Sequence, residues 1–246
     1  MGKIALITGA AGGLGLSMAN KLAATGWRLV VTSRDAQRLT DVYGNKHLQI
    51  VADCSTVEGA KHIFEITKQH DLIPTAFAHC VGNIRLGALH RMSEVDFMDC
   101  MQANLFSAFH TLAAFVASLK EAKSTGAAVL VSSAAARIGT PNHEAIAAAK
   151  CGIEGLVRGA AATYAANGIR INAVAPGIMD TPAAEKLLSS ELTREVAARQ
   201  YPLASIGSSD ELADLMVWLL SEQAARVTGQ VWSLDAGFST IRPYVK

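Results

Sequence analysis

Short apolar runs alternate with longer segments of helical periodicity along the whole chain. The first pair is the run "KIALITGA" followed by "GLGLSMANKLAATGW", in which Leu14, Met18 and Leu22 recur every four residues and Gly26 ends the segment. Strands buried on both faces are continuously apolar, and strands that alternate with helices pair in parallel. The pattern therefore predicts an α/β fold, a doubly wound parallel sheet of about seven strands flanked by helices in three layers.

The same alternation continues to the end of the sequence. Further strands are predicted at "RLVVTS", "LQIVAD", "TAFAHC", "AAVLVSS", "IRINAVAP" and "QVWSLD". Helices are predicted at "DAQRLTDVYG" and over residues 56–70, 94–122, 145–167 and 182–222. Because no linker and no internal repeat interrupts the series, residues 1–246 are predicted to form a single domain. The segment around 179–201 is predicted to be a mobile helical lid over a substrate.

Composition and charge exclude several classes of function. The formal net charge is +1 and no run of like charges occurs, so binding to nucleic acid or to a membrane surface has no electrostatic support. No continuous apolar run reaches the roughly 18 residues of a membrane span, and no secretory signal is recognised. The cysteines are far apart without metal-ligand spacing, which indicates reduced thiols, no metal site and a cytoplasmic location. These are Cys54, Cys80, Cys100 and Cys151.

The first predicted strand ends in the glycine-rich sequence "TGAAGGLG". In a doubly wound sheet, ligands bind beyond the carboxyl ends of the strands. Gly9 permits a tight turn, Gly13 lets backbone N–H groups approach a pyrophosphate, and Gly15 lets the next helix pack closely. The N-terminus of that helix offers unpaired N–H donors and the positive end of its dipole. The position of these glycines between a strand and a helix favours a dinucleotide site over an unliganded turn.

The end of the second predicted strand decides between the two nicotinamide nucleotides. An acidic side chain there accepts hydrogen bonds from a ribose 2′-hydroxyl, whereas a basic one pairs with a 2′-phosphate. The sequence has Ser33 and Arg34, and both can donate to a phosphate. Asp35 fits the N-cap of the next helix better. The sequence therefore favours NADP(H), with NAD(H) as the alternative.

The order of these motifs resembles that of the short-chain dehydrogenase/reductase family over essentially the whole chain. The resemblance rests on TGxxxGxG, Asn104 in a long helix, Ser133 ending a strand, Lys150 on the next helix and "PGIMDTP" after the sixth strand. It implies a Rossmann-type fold, a small-molecule substrate and an NAD(P)(H)-dependent oxidoreductase that transfers hydride. It also implies a homotetramer, or a dimer, in which the two long helices form one interface.

The resemblance assigns further residues to the cofactor. Asp53 corresponds to the acid that contacts adenine, and Thr181 to the residue that contacts the carboxamide or the phosphates. The family's NNAG-like stretch is "HCVG" here, so Gly82 is kept while the stabilising asparagine is absent. The full set of cofactor residues implied in this way is Gly9, Gly13, Leu14, Gly15, Ser33, Arg34, Asp53, Cys54, Gly82, Lys150, Pro176, Gly177, Ile178 and Thr181.

The catalytic set departs from the family at one position. Ordinary members use Asn, Ser, Tyr and Lys, and here Asn104, Ser133 and Lys150 match. The tyrosine position, four residues before the lysine and on the same helix face, is Ile146. In the family, the tyrosine exchanges the proton, the lysine lowers its pKa and holds the ribose, the serine bonds the reacting oxygen, and the asparagine supports a water. Loss of a general acid typically costs about 10²- to 10⁴-fold in rate.

Three interpretations of Ile146 follow. In the first, another group supplies the proton: His143, Glu144, or a water held by Ser133 and Lys150. A histidine at the start of a helix is more often an exposed hydrogen-bonding residue. In the second, the substrate needs little acid assistance, as when hydride adds to an activated alkene or an iminium. In the third, the protein binds NADP(H) without turnover, as a sensor or partner.

The predicted lid bears on the nature of the substrate. Leu187, Leu188 and Leu192 give it an apolar underside, which indicates a partly hydrophobic compound. We expect a reductase of a small carbonyl, imine or enone with altered proton delivery.

Overall fold

The run IALIT, in which every residue is buried, forms an inner strand of the sheet. A computed structural model describes residues 3–242 of the chain. Nine strands are present in that range: β1 (Ile4–Thr8), β2 (Arg28–Ser33), β3 (Leu48–Val51), β4 (Ala76–His79), β5 (Gly126–Val131), β6 (Ile169–Pro176), β7 (Met179–Asp180), β8 (Gly207–Ser208) and β9 (Val231–Leu234). The α-helices of the same range are α1 (Gly13–Ala24), α2 (Ala36–Tyr43), α3 (Val57–Gln69), α4 (Glu94–Met101), α5 (Ser107–Glu121), α6 (Glu144–Tyr164), α7 (Glu191–Ala198) and α8 (Ser209–Leu220).

Seven of these strands form one parallel sheet in the order β3-β2-β1-β4-β5-β6-β9. The chain moves outward from β1 to β3 and then returns to the other side of β1 at β4. This reversal leaves a crevice at the carboxyl ends of β1 and β4, where open α/β sheets bind their ligands. The predicted fold, a doubly wound parallel sheet of seven strands, is confirmed.

Two apolar cores, one on each face of the sheet, produce the three layers. Side chains alternate across a strand, so Leu6 of β1 packs into one core while Ala5 and Ile7 pack into the other. Helices α3, α5 and α6 cover the first core, and α1, α2 and α8 cover the second. Both faces of these strands are buried and mostly apolar, which explains why they read as nearly continuous apolar runs.

Residues 94–122 were predicted to form one helix, and the structure, in which the helical stretch is Glu94–Glu121, adds a break in its regularity. A π-helical turn, Gln102–Phe106, joins α4 to α5. By length and composition alone this stretch is apolar enough to cross a membrane, although it contains no continuous apolar run of that length. Phe115 and Leu119 are fully buried against the sheet, as in the core helix of a globular domain.

The region 182–222 was predicted to be helical, and the structure divides it. A 3-10 turn (Pro182–Ala184) and α7 are separated from α8 by the short strand β8, which pairs in parallel with β7. A reciprocal cap between Ser208 and Glu211 begins α8. Pro202 cannot continue α7, because a proline inside a helix lacks the N–H donor.

His79 joins three elements at the end of β4. The imidazole is 1% exposed and lies 2.8 Å from Thr8 Oγ1 and 3.0 Å from Ser107 Oγ. Ser107 Oγ donates its own proton to the Ala103 carbonyl, so His79 Nε2 must donate to it and Nδ1 must accept from Thr8. The family's stabilising asparagine is absent here, and His79 links β1, β4 and α5.

We expect this histidine to make the protein sensitive to acid. Burial lowers the pKa of His79 from 6.5 to about 3, so below pH 6.5 the unfolded chain takes up a proton that the folded chain refuses. Stability is then lost as pH falls towards 3, by about 1.4 kcal/mol per pH unit. The free energy of unfolding is measured in urea at pH 7 and at pH 4.5. Between these two pH values, the decrease for His79→Asn should be smaller than the decrease for the wild type by about 2–3 kcal/mol.

The matched control is His62→Asn on the exposed side of α3, which should keep the full acid-induced loss. An equal loss in His79→Asn and in the wild type would contradict the assignment.

Candidate active site

The glycine-rich loop lies where β1 meets α1, beside the end of β4. Gly9 has φ of 66°, and a Cβ atom there would lie 2.8 Å from the carbonyl carbon of Cys80. A Cβ on Gly13 would lie 3.1 Å from Pro182 Cδ, so the loop also borders the start of the lid. The structure thus brings the predicted loop residues and Thr181 together at one edge of the sheet. These loop residues are Gly9, Gly13, Leu14 and Gly15.

The residues after β2 form the second part of the site. Arg34 is exposed, and Asp35 accepts from the backbone N–H of Arg38 at 3.0 Å as the N-cap of α2. Ser33 Oγ accepts from the Asp35 N–H at 3.2 Å, which leaves its own proton free to donate. Sequence analysis missed Arg38, whose Nη2 donates to the carbonyl of Ala11 at 3.2 Å. The sequence feature that could have identified Arg38 is its position four residues after Arg34, in the first turn of α2.

Asp53 and Cys54 follow β3. The Asp53 carboxylate accepts from the backbone N–H of Ser55 at 2.9 Å and from its hydroxyl at 2.7 Å. Partial burial raises the pKa of Asp53, but these bonds and the charge of Arg34 outweigh it and the net pKa is lowered. The thiol of Cys54 is buried in the core, where burial raises its pKa to about 12. A cofactor contact from position 54 would therefore come from its backbone.

Pro176 ends β6, and Gly177 and Ile178 form the turn that follows it. The backbone N–H of Ile178 donates to the hydroxyl of Tyr201 at 2.7 Å, and a Cβ on Gly177 would lie 2.6 Å from the Tyr201 ring. Burial raises the pKa of Tyr201, so the phenol remains protonated at neutral pH. Tyr201 supports this turn from the far end of the lid and was missed by the sequence analysis. Its only signal was that no other aromatic residue occurs between positions 179 and 207.

Ser133 and Lys150 approach the site from β5 and α6. Ser133 Oγ accepts from the backbone N–H of Ala135 at 3.1 Å, so its own proton is available to a substrate oxygen. Lys150 is 6% exposed, and its Nζ donates to the Val131 carbonyl at 2.8 Å. Burial lowers the pKa of Lys150 to about 8, which places an ammonium that gives up its proton readily beside the site.

Ile146 lies one turn before Lys150 on α6 and is 5% exposed. It belongs to a small apolar cluster with Cys100 and Ala145, against which Met92 and Phe97 also pack. This position therefore carries hydrocarbon in contact with α4 and supplies no proton.

The π-helical turn places Asn104 in the centre of the site. The side chain is fully buried, and within residues 3–242 its Oδ1 has no hydrogen-bond partner. A Cβ on Gly82 would lie 2.6 Å from that oxygen and 3.5 Å from Lys150 Nζ. Asn104 and Lys150 therefore converge on the backbone of Gly82, and only a residue without a side chain fits between them. π-Turns within helices occur frequently at functional sites.

The alternative proton donors lie at the start of α6. His143 Nδ1 donates to the carbonyl of Pro141 at 2.8 Å, and Glu144 is exposed. Among the described residues, neither side chain forms a hydrogen bond with Ser133 or Lys150. The structure thus brings Asn104, Ser133 and Lys150 to the site and leaves His143 bonded to its own loop.

A family model described as enoyl-(acyl carrier protein) reductase matches residues 9–239. The chain belongs to the short-chain dehydrogenase/reductase family. It is accordingly an oxidoreductase that depends on NAD(P)(H).

Relatives match this short-chain dehydrogenase over its full length. The A-factor type gamma-butyrolactone 1′-reductase (1S-forming) of Streptomyces virginiae is 30% identical over 247 residues, with 97% of this chain and 96% of the relative covered. A 3-oxoacyl-[acyl-carrier-protein] reductase of Thermotoga maritima is 31% identical over 242 residues, with 96% of this chain and 97% of the relative covered. ElxO, solved with NADP bound, is 25% identical in sequence. Its structure matches with a TM-score of 0.89, with 97% of this chain and 99% of the ElxO chain covered. A variant of ElxO with phenylalanine in place of a tyrosine, solved with NADPH bound, has a TM-score of 0.88.

The residues of this short-chain dehydrogenase fit a nicotinamide dinucleotide. A side chain on Gly9 would fill the space beside Cys80, and the buried oxygen of Asn104 is unpartnered in the described chain. The glycine loop and the N-terminus of α1 would hold the pyrophosphate, and the turn at Gly177 would face the nicotinamide. When bound, the nucleotide supplies or accepts the hydride.

Proposed function

We propose that this protein reduces a small, partly apolar carbonyl, imine or enone compound with NADPH, and that Lys150 is its source of protons. The observation that carries the proposal is that Lys150 Nζ and the Asn104 amide oxygen both lie beside Gly82, while the tyrosine position is buried hydrocarbon. Ser133 follows β5, whose last carbonyl, that of Val131, accepts from Lys150 Nζ. A pure nucleotide-binding protein has little use for this set of three side chains.

Proton delivery follows from the groups that remain. Ser133 donates a hydrogen bond to the substrate oxygen and holds it in place. The Lys150 ammonium releases one proton, through a water beside Asn104, as that oxygen gains negative charge, and becomes a neutral amine. Solvent then returns the proton to Lys150. A variant of ElxO that lacks one tyrosine hydroxyl still holds NADPH, which agrees with nucleotide binding in a chain without the phenol.

The apolar walls support a partly hydrophobic substrate. Ile84 and Leu86 follow β4, Ile138 follows β5, and Leu187 lies in the lid; all are at least 36% exposed. Because the carboxyl ends of parallel strands share one edge of a sheet, these side chains border the same cleft.

We also propose how the protein assembles and where in the cell it is located. Phe109, Ala113 and Ala117 form an exposed stripe on α5, and Gly155 is exposed on α6. Small and apolar side chains on both long helices support a homotetramer or a dimer that is formed through these faces. The four cysteines are free, which supports a cytoplasmic location.

The reaction is tested by incubating the protein with NADPH and a panel of ketones, cyclic imines and enones, with absorbance at 340 nm as the signal. We expect consumption with at least one apolar member. Since the Lys150 ammonium is the proton source, the rate of reduction should be constant below about pH 8 and should fall as the lysine deprotonates above it. Saturable binding of NADPH without consumption for any compound would instead support a non-catalytic nucleotide-binding protein.

Restoring a phenol should increase ketone reduction if the remaining site is competent. Ile146→Tyr should raise kcat/KM for a ketone by about 10²-fold or more, the typical contribution of a positioned general acid. The matched control is Ile146→Phe, which adds the ring without the hydroxyl and should give no gain. Equal rates in the two variants would contradict the assignment of position 146.

Nucleotide preference is tested at Arg34. In Arg34→Asp, a carboxylate would repel the 2′-phosphate and accept from a 2′-hydroxyl. We expect the ratio of kcat/KM for NADPH over NADH to fall by about tenfold to 100-fold, the value of a hydrogen bond to a charged group. Arg226→Asp, at an exposed position near α8, serves as control. An unchanged ratio in Arg34→Asp would rule out Arg34 as the phosphate ligand.

A further inference from the structure

Backbone hydrogen bonds hold two of the three peptide groups in the loop that joins β1 to α1. The peptide between Gly9 and Ala10 is fixed because its N–H donates to the Thr32 carbonyl of β2 at 3.0 Å. The peptide between Ala11 and Gly12 is fixed because its N–H donates to the Gly9 carbonyl at 3.0 Å. The middle peptide, between Ala10 and Ala11, has no backbone partner within residues 3–242.

A side chain of α2 holds the middle peptide instead. The Tyr43 hydroxyl donates to the Ala10 carbonyl at 2.8 Å. Tyr43 is 4% exposed and Ala10 is fully buried, so water has no access to this carbonyl. Burial raises the pKa of Tyr43, which keeps the phenol protonated and able to donate. Arg38 donates to the next carbonyl, that of Ala11, but Arg38 is exposed and water can take its place.

The hydrogen bond from Tyr43 also fixes the direction of an N–H donor. In a trans peptide, the C=O and the N–H of the same planar group point in opposite directions. The Ala10 carbonyl points towards α2, so the N–H of Ala11 points away from α2. Among the described residues this N–H has no acceptor, and Ala11 is only half-buried. Because a backbone N–H is an obligatory donor, this group is suited to an oxygen atom of a ligand.

The N-terminus of α1 leaves further donors beside Ala11. The N-cap of this helix is Gly12, which has no side chain to accept from the first N–H groups, and the first turn contains no acidic residue. These N–H groups therefore remain available to an anion. The Ala11 N–H adds one donor to the set, and it is the one whose direction depends on a side chain of α2.

We propose that Tyr43 is a positioning residue for the nucleotide, because its hydroxyl orients the Ala10–Ala11 peptide so that the Ala11 N–H donates to the dinucleotide. The acceptor is an oxygen of the ADP portion that NADPH and NADH have in common. Tyr43 itself is buried and acts only through the loop. The inference concerns nucleotide binding alone, so it does not require Lys150 to be the proton source.

The test removes a single oxygen atom. In Tyr43→Phe the ring still fills its place in the apolar core, while the Ala10 carbonyl loses its partner and the middle peptide can rotate. We expect the Kd of NADPH and the Kd of NADH, measured by the fluorescence of the bound nucleotide, to rise by the same factor. That factor should be about three to ten, the value of one ordinary hydrogen bond. Arg34→Asp, in contrast, should change the ratio of the two Kd values.

A matched control separates positioning from general damage. Tyr164→Phe, at a half-buried phenol in the last turn of α6, should leave both Kd values unchanged. Tyr43→Phe should lower the melting temperature, since a buried acceptor is left without a partner. A lower melting temperature with both Kd values unchanged would show that the hydroxyl is purely structural, and the proposal would be overturned. A rise for NADPH alone would overturn it as well, because the effect would then lie at the 2′-phosphate.

The Ala11 N–H provides a second measurement. In protein labelled with [¹⁵N]alanine, the Ala11 signal is assigned by its loss in Ala11→Gly and followed as NADPH is added. We expect a downfield shift of the amide proton in the wild type, because a hydrogen bond forms, and a smaller shift in Tyr43→Phe. An Ala11 signal that does not move in the wild type overturns the proposal, even if Tyr43→Phe does not fold.

Failure of this inference differs from failure of the proposed function. If the wild type binds NADPH but reduces no compound of the panel, the proposed reductase function fails, while the Kd values and the Ala11 signal still decide the role of Tyr43. If the wild type binds neither nucleotide, the role of Tyr43 is overturned together with that of the loop.

Discussion

A buried ammonium group that is held by a backbone carbonyl, with no carboxylate partner among the described residues, is the constraint on which the active site depends. Lys150 is 6% exposed, and its Nζ donates to the Val131 carbonyl at 2.8 Å. Full desolvation of an unpaired charge costs so much that the group gives up its proton more easily. The lowered pKa of Lys150 is thus a direct consequence of the fold around it. The parallel sheet supplies this acceptor at the end of β5, and the π-turn between α4 and α5 brings Asn104 to the same glycine as Lys150, Gly82.

Replacement of the phenol by Ile146 changes the role of this lysine. Where a tyrosine is present, a nearby ammonium lowers the pKa of the phenol. Under the proposed function, the ammonium beside this isoleucine takes over the release of the proton. The apolar cluster of Ile146, Cys100, Met92 and Phe97 also joins α6 to α4, so the same substitution contributes to packing.

The hydrophobic pattern was sufficient to predict the fold, because both faces of each inner strand are buried and the helices between them show clear periodicity. The pattern was least informative in residues 182–222, where β8 depends on pairing with β7 across the lid. The motifs also located most of the site: Gly9, Asn104, Ser133 and Lys150 all lie at the predicted edge of the sheet. Spacing can identify them because each is fixed relative to the end of a strand or to one face of a helix.

The sequence by itself determined the doubly wound sheet, the glycine loop and the absence of a phenol at position 146. Only the tertiary structure decided which polar groups meet. Arg38 reaches Ala11 across 27 residues of sequence, and Tyr201 reaches Ile178 across 23. His79 stands where the family has an asparagine and bonds to two other elements. Periodicity records which face of an element is buried, whereas a hydrogen-bond partner depends on where separate elements come together in space.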